Sequence, residues 1–147
     1  MKIRVFVVDD EEHFVSRLAE RLRLRDYDVT TALSGDQALE IIAKYNFDVV
    51  ILDVAMPGKD GIETLREIKK AKPLTEVIML TGHATVESAI EGMKLGAFDY
   101  LLKPTNTEDL VMKVNTAYAR KANQEERIRQ AKVNEIISSP LSVLRKK

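Results

Sequence analysis

The chain has 147 residues, of which 45% are hydrophobic and 31% are charged, a composition typical of one folded domain. It contains no cysteine, which excludes disulfides, thiolate catalysis and cysteine-ligated zinc. No apolar stretch approaches the roughly 18 residues of a membrane-spanning helix, and charged residues follow the first apolar run too early for a signal peptide. We therefore expect a cytoplasmic protein without a membrane partner.

The formal net charge is zero, but the charge is unevenly distributed along the chain. Residues 120–147 carry eight Lys or Arg and three Glu, a balance of +5, so residues 1–119 carry −5. The acidic part suits a carboxylate cluster that binds a cation, and the basic tail suits contact with nucleic acid or an acidic protein surface. A solvated helix of mixed charge is the commoner explanation of such a tail.

Strand and helix signals alternate five times along the chain. Short apolar runs predict five strands, at Ile3–Val8, Val29–Thr31, Val49–Leu52, Val77–Leu80 and Asp99–Leu102. Between and after them, apolar residues recur at helical spacing. These recurring positions are Phe14, Val15, Leu18 and Leu22, then Ala38, Leu39, Ile42 and Ala43, then Ile62, Leu65 and Ile68, then Ala89, Ile90 and Met93, and finally Leu110, Val111, Val114 and Ala117. We expect the fourth helix to bury its three apolar residues.

Residues that start and stop helices lie where this alternation requires them. Ser34 and Thr85 are predicted N-caps of the second and fourth helices, and Thr107 is predicted to start the last one. Gly96 is predicted to end the fourth helix. Glycine and proline at Met56-Pro57-Gly58 and Gly61 predict a loop before the third helix.

Short apolar strands separated by helices imply a parallel sheet that is covered on both faces. Right-handed crossovers then require a doubly wound sandwich. Five βα units in about 120 residues match the size of an α/β, flavodoxin-like (βα)5 fold, so we predict the strand order of such folds, 2-1-3-4-5. The last helix has no clear stop before Ser138, which predicts an extended C-terminal helix. The predicted division is a domain at residues 1–120 and a basic helical extension or linker at 121–147, with partial disorder as an alternative.

Four of the predicted strands end at residues suited to phosphoryl chemistry. Asp9 and Asp10 follow the first strand, Asp53 the third, Thr81 the fourth and Lys103 the fifth. The carboxyl ends of parallel strands share one edge of the sheet, where open α/β folds place their ligand sites. Three carboxylates, a hydroxyl and an ammonium group at one edge can hold a divalent cation and accept a phosphoryl group on a carboxylate.

Each residue taken alone has a plainer explanation, except Asp53. One of the two acidic residues after the first strand could cap the first helix, Thr81 could simply end a strand, and Lys103 could be a surface lysine. A carboxylate that closes a fully apolar strand is desolvated unless it meets a cation. Carboxylates about 5 Å apart repel by roughly 3 kcal/mol per pair at an effective dielectric of ~20, and Mg²⁺ would remove that cost.

Four segments of the chain resemble the receiver domain of two-component response regulators. They are VFVVDDE, VVILDVAMPGKDG, VIMLTGHA and GAFDYLLKP, and the resemblance extends from residue 1 to about residue 120. The stretch from the fourth strand to the fifth most resembles receivers that precede ATPase and DNA-binding domains in transcriptional activators. The resemblance implies a phosphorylation-dependent switch of a phosphorelay, which is not an enzyme in the ordinary sense but assists its own phosphorylation and dephosphorylation.

The resemblance also implies a role for each residue at the sheet edge. Asp53 would be the phosphoacceptor, and Asp10 would bind Mg²⁺ directly. Asp9 would help to bind the ion through water, and the backbone carbonyl of Ala55 would supply a further ligand. Lys103 would pair with the phosphoryl oxygens.

The resemblance further implies how the signal would be read. Thr81 would hydrogen-bond the phosphoryl group, and Tyr100 would turn inward into the space that Thr81 leaves. A sensor histidine kinase would donate the phosphoryl group, and residues 85–118 would form the signalling face, at which related receivers dimerise. Ala55 and His83 would tune the lifetime of the phosphate, although a surface position without a chemical role is the commoner explanation of His83.

Several alternatives remain open at this point. A small metal-dependent phosphatase could also use an aspartyl phosphate, although such enzymes commonly carry a second Asp where this chain has Ala55. A degenerate receiver used only for binding is a third reading, which the complete set of site residues disfavours. The residues after the receiver are too few for a helix-turn-helix domain, so the chain is either a stand-alone receiver or a piece of a longer regulator. DNA binding is expected only in the second case, and the downstream partner is unknown.

Overall fold

The computed structural model describes residues 2–55, 60–82 and 85–138, so the predicted loop at Met56-Pro57-Gly58 and the predicted role of His83 fall outside the described residues. The described strands are β1 (Arg4–Val8), β2 (Asp28–Ala32), β3 (Val49–Leu52), β4 (Glu76–Thr81) and β5 (Asp99–Leu102). The described helices are α1 (Glu12–Leu24), α2 (Gly35–Lys44), α3 (Gly61–Ala71), α4 (Val86–Lys94) and α5 (Thr107–Ser138).

The strands form one parallel sheet in the order β2-β1-β3-β4-β5, which confirms the predicted flavodoxin-like topology. The register brings the carboxyl ends of the strands together at one edge of the sheet. Val8 pairs with Leu52, and Leu52 pairs with Met79. The residues that directly follow β1 and β3 are therefore neighbours, as the sequence predicted.

Apolar residues pack on both faces of this sheet, as a doubly wound fold requires. On one face, α1 and α5 cover the strands through Val15, Leu18 and Leu22 and through Leu110, Val114 and Ala117. On the other face, α2 and α3 pack through Ala38, Ile42, Leu65 and Ile68. The central strand β3 is wholly buried, which explains why its sequence is an uninterrupted apolar run.

The predicted N-caps Ser34 and Thr85 are confirmed, since each side chain accepts a hydrogen bond from the backbone N–H three residues on. Thr85 forms a reciprocal capping box with Ser88. Gly96 follows the end of α4 with a φ of 102°, a conformation that side chains other than that of glycine rarely adopt. The sequence therefore located these helix boundaries correctly.

The prediction that α4 buries Ala89, Ile90 and Met93 is wrong, since Ala89 is only half-buried and the other two are exposed. Ile90 is 51% exposed and Met93 is 46% exposed. The residue that α4 buries is Gly92, where an added Cβ would lie 2.1 Å from the side chain of Met79. Because the helix packs against β4 through a glycine, its apolar side chains lie beside the contact and face solvent.

The last helix, α5, has 32 residues, which confirms the predicted extended C-terminal helix. Its buried positions end at Lys121, and residues 122–138 are exposed or half-buried. No helix among the described residues combines the length and the apolar character needed to cross a bilayer.

Candidate functional site

The candidate site lies where β1 and β3 end side by side. Asp9 and Asp53 each directly follow one of these strands and are 2% and 3% exposed. The backbone N–H of Asp53 donates to Val8 O at 3.0 Å, which continues the strand pairing up to the acidic residue. The sheet itself therefore places the two carboxylates next to each other.

Three carboxylates meet at this edge. Oxygen atoms of Asp9, Asp10 and Asp53 all lie within 4.8 Å of one another, and Asp10 is the exposed member. At that separation the mutual repulsion is of the order of 3 kcal/mol per pair at an effective dielectric of ~20. Three hard oxygen donors with one side open to water fit a divalent cation of the Mg²⁺ type.

Lys103 supplies the positive charge of the site. Its Nζ lies 2.7 Å from Asp9 Oδ2 and 3.8 Å from Asp53 Oδ2. It also lies 3.3 Å from Glu11 Oε1 and 4.1 Å from the ring centroid of Phe14. The Lys103–Pro104 peptide bond is cis. The fifth strand thus delivers an ammonium group to the carboxylates of the first and third.

Burial and neighbouring charges shift two pKa values at the site. Burial raises the pKa of Asp9, and the adjacent charge of Asp53 adds to that rise, while Lys103 and the backbone N–H of Glu11 oppose it. Burial by itself would lower the pKa of Lys103, but its contacts with Asp9, Asp53 and Glu11 outweigh burial and raise it. Lys103 therefore remains protonated, but its single positive charge does not balance the negative charges of the acids around it.

The backbone around Asp53 is held closely on two sides. Asp53 Oδ1 accepts a hydrogen bond of 3.0 Å from the N–H of Ala55. Gly61, the first residue of α3, packs against the same turn, where an added Cβ would lie 2.4 Å from Asp53 O and 2.2 Å from Val54 Cα. Gly61 was predicted from the sequence only as part of a loop, and nothing in the sequence pattern indicates this close approach.

Thr81 and Tyr100 lie on the two strands beyond β3. Thr81 is the last residue of β4 and is fully buried, and its carbonyl accepts a hydrogen bond from the N–H of Lys103 at 2.9 Å. Tyr100 is half-buried, and its hydroxyl lies 3.1 Å from Ser88 Oγ at the start of α4. The tyrosine ring is therefore tied to the same serine that completes the α4 capping box.

The structure brings together four of the predicted site residues, which are Asp9, Asp10, Asp53 and Lys103, and it places the backbone of Ala55 beside them. Asp9 Oδ1 accepts from the N–H of Glu11 at 2.9 Å, which closes the turn before α1. The side chain of Glu11, the N-cap residue of α1, makes no capping hydrogen bond. The contacts that Glu11 and Phe14 make with Lys103 were not predicted from the sequence, although both residues are close in sequence to the acidic pair.

A parallel sheet of this order, with a buried acid after its third strand and a lysine after its fifth, defines a class of signalling domain. Residues 5–115 match the response regulator receiver domain family, and the chain belongs to that family. Receiver domains of two-component systems are phosphoacceptor switches rather than conventional enzymes.

Individual relatives agree with this assignment. The transcriptional regulatory protein ZraR of Escherichia coli strain K12 is 42% identical over 117 residues, which cover 80% of this chain and 26% of ZraR. A receiver domain from Clostridium thermocellum is 40% identical and superimposes with a TM-score of 0.79, covering 83% of this chain and 98% of that one. The chain thus spans about a quarter of the length of ZraR, and the predicted likeness to receivers of transcriptional activators is confirmed.

A third similar structure is that of a response regulator protein from Burkholderia pseudomallei with a phosphorylated aspartic acid, a calcium ion and citrate. It is 26% identical, with a TM-score of 0.75, and the match covers 98% of this chain and 93% of that one. In that relative, a phosphorylated aspartate and a divalent cation occur on the same fold.

Proposed function

We propose that this protein is a phosphorylation-dependent switch that accepts a phosphoryl group on Asp53 from a sensor histidine kinase. The observation that carries the proposal is the meeting of three carboxylates within 4.8 Å, with the ammonium of Lys103 in contact with two of them. Asp53 is the candidate acceptor because it directly follows the central strand, belongs to the carboxylate cluster and has Lys103 Nζ 3.8 Å from its Oδ2.

Mg²⁺ is the proposed cofactor. Asp10, Asp53 and the backbone carbonyl of Ala55 would bind it directly, and Asp9 would contribute through water. When bound, the ion supplies positive charge where the phosphoryl oxygens lie. The exposed position of Asp10 leaves room on one side of the cluster for water and for a phosphodonor.

The chemistry proposed for the residues is a single transfer. A carboxylate oxygen of Asp53 attacks the phosphorus of a phosphohistidine, the new P–O bond forms as the P–N bond breaks, and the electron pair remains on the imidazole nitrogen. Lys103 stabilises the negative charge on the phosphoryl oxygens. Later hydrolysis of the acyl phosphate at the same site returns Asp53 to its carboxylate form, so the protein assists both its own phosphorylation and its own dephosphorylation.

The proposed readout begins at Thr81 and Tyr100. Thr81 hydrogen-bonds the phosphoryl group, and Tyr100 turns inward as its hydroxyl leaves Ser88. Phosphorylation needs to change the relative free energy of two conformations by only a few kcal/mol to shift their populations. Residues 85–118 are the proposed signalling and homodimer face. Exposed large hydrophobic side chains in this range include those of Val86, Ile90, Met93, Leu102, Met112 and Tyr118.

We further propose that residues 1–120 form the receiver domain and that residues 121–147 extend it towards a following part of a longer, cytoplasmic regulator. The relative ZraR is a transcriptional regulatory protein of which this chain spans only a quarter. DNA binding would then belong to the longer protein, and its downstream partner would be set there.

The test is intact-mass analysis after incubation with acetyl phosphate, with and without Mg²⁺. We expect one Mg²⁺-dependent phosphoryl adduct in the wild type and none in Asp53→Asn, while Glu12→Gln, which removes a nearby exposed acid, behaves as the wild type. Absence of an adduct in a folded wild type would overturn the phosphoacceptor assignment. Sustained turnover of a small phosphomonoester would instead indicate a phosphatase.

The dimer proposal has a separate measurement. Light scattering during size-exclusion chromatography should show a larger mass for the phosphorylated protein than for the unphosphorylated one. Ile90→Lys should prevent that increase while leaving the phosphoryl adduct intact. A mass that does not depend on phosphorylation would count against the proposed face.

A further inference from the structure

Two buried carboxylates lie at the edge of the sheet opposite the candidate site. Asp48 directly precedes β3 and Glu76 opens β4, and their exposures are 8% and 2%. Burying a carboxylate is unfavourable unless a cation or several hydrogen-bond donors compensate its charge. The cations that compensate these two come largely from α5.

Lys121 pairs with Asp48. Its Nζ lies 3.1 Å from Asp48 Oδ1 and 3.1 Å from Glu125 Oε2, while Asp48 Oδ2 accepts from the backbone N–H of Arg4 at 2.9 Å. Lys121 is itself 9% exposed and is the last buried residue of α5, after Leu110, Val114 and Ala117. The inward-facing stripe of the helix thus ends in an ammonium group instead of an apolar side chain.

Arg120, the preceding residue, pairs with Glu76. Its Nε lies 3.1 Å from Glu76 Oε2, and its guanidinium carbon lies 5.8 Å from the ring centroid of Phe98. Lys69 Nζ lies 3.6 Å from Glu76 Oε1 on the other side. Glu76 Oε2 has no hydrogen-bond partner within the described ranges, so it depends on the charge of Arg120. Two consecutive residues of α5 therefore compensate the buried acids of two adjacent strands.

Beyond this point α5 leaves the body of the protein. Residues 122–138 are exposed or half-buried and add 17 residues of helix, a length of about 25 Å. A helix of that length at the end of a domain keeps one direction only if its base is held. At its base, Lys121 is the last buried residue, and the neighbouring Arg120, whose own side chain is 54% exposed, reaches the buried carboxylate of Glu76.

We propose that Asp48, Glu76, Arg120 and Lys121 form a basal clamp that fixes the direction in which α5 leaves the receiver. The helix beyond the clamp then moves as a rigid continuation of the domain. The clamp also fixes the direction of α5 relative to the candidate site. The reason is that β3 and β4 each have a clamp acid at the amino end and lead to Asp53 and Thr81 at the carboxyl end. A segment that follows the helix would therefore be held at a defined position relative to the phosphoacceptor edge.

The test is a distance measurement by double electron–electron resonance. Because the protein has no native cysteine, spin labels can be placed at two chosen positions alone. These are Glu40→Cys, an exposed position of α2, and Lys132→Cys, on the projecting helix. We expect one narrow distance distribution when the doubly labelled protein is otherwise unchanged. Lys121→Met, which removes the charge and keeps an unbranched apolar side chain, and Arg120→Gln should each replace the single narrow peak with a broad distribution.

Two further variants serve as controls. Arg129→Gln removes an exposed ion pair within the projecting helix, with Glu126, and should leave the narrow peak unchanged. The double variant Asp48→Asn with Lys121→Met leaves no lone buried charge, so it should remain folded by circular dichroism and still give a broad distribution. Two results would overturn the clamp proposal. One is a broad distribution when all clamp residues are intact, and the other is a narrow distribution in the folded double variant.

Discussion

The ammonium group of Lys103 lies 2.7 Å from a carboxylate oxygen of Asp9, although 94 positions separate the two residues in the sequence. The same nitrogen lies 3.8 Å from Asp53. Lys103 therefore acts as the internal counter-ion of the buried acids, and a divalent cation would share that task with it.

Replacing Lys103 with methionine should destabilise the protein most when Mg²⁺ is absent. The side chain is 12% exposed, and removing one partner of a buried ion pair costs about 3 kcal/mol of unfolding free energy. Urea unfolding with and without Mg²⁺ measures the effect, and Mg²⁺ should recover part of the loss. Lys94→Met, at an exposed position of α4, should change the unfolding free energy little in either condition. Equal losses for the two variants would contradict this role.

Mg²⁺ should raise the thermal midpoint of the wild type because it relieves the repulsion among Asp9, Asp10 and Asp53. Asp10→Asn removes one of the three charges, so its midpoint without Mg²⁺ should exceed that of the wild type and should rise less when the ion is added. Differential scanning fluorimetry over a MgCl₂ titration measures both quantities. If Asp10→Asn responds to Mg²⁺ as strongly as the wild type does, Asp10 is not a ligand.

Gly61→Ala should disturb the turn that carries Asp53. The new Cβ would meet backbone atoms of Asp53 and Val54 at 2.4 and 2.2 Å, and overpacking of this kind costs about 3 kcal/mol. We expect a lower unfolding free energy and slower phosphorylation by acetyl phosphate. Gly82→Ala is the matched control, because its nearest neighbour would be Lys103 Cβ at an ordinary 4.0 Å. Equal effects of the two substitutions would contradict the proposed steric role of Gly61.

Lys69 should make the stability depend on pH in the alkaline range. Burial lowers the pKa of Lys69 below its ordinary value of 10.5, although Glu76 opposes the shift. The unfolded chain then binds this proton more tightly than the folded chain, so the Lys69 contribution to the unfolding free energy rises as the pH approaches 10.5 from below. Urea unfolding at several pH values should show this slope in the wild type and in Lys70→Met, which alters an exposed lysine, but not in Lys69→Met.

The order of the elements and the composition of the site could be predicted from the sequence because both depend on local patterns. The apolar run Val49–Leu52 can be buried only as a central strand, and an acid directly after it must lie at the carboxyl edge of the sheet. The packing of α4 could not be predicted, because the apolar spacing of Ile90 and Met93 does not show that Gly92 allows the helix to approach Met79 so closely.

The sequence by itself determined the alternation of strands and helices, the parallel sheet and the four residues that meet at its carboxyl edge, because continuous apolar runs and right-handed crossovers leave few other arrangements. Only the tertiary structure decided which charges pair. Lys103 reaches Asp9 across 94 residues, and Lys121 reaches Asp48 across 73. The physical reason is that hydrophobic burial is spread over many positions and leaves a pattern in the sequence, whereas an ion pair depends on the distance between two groups that folding alone brings together.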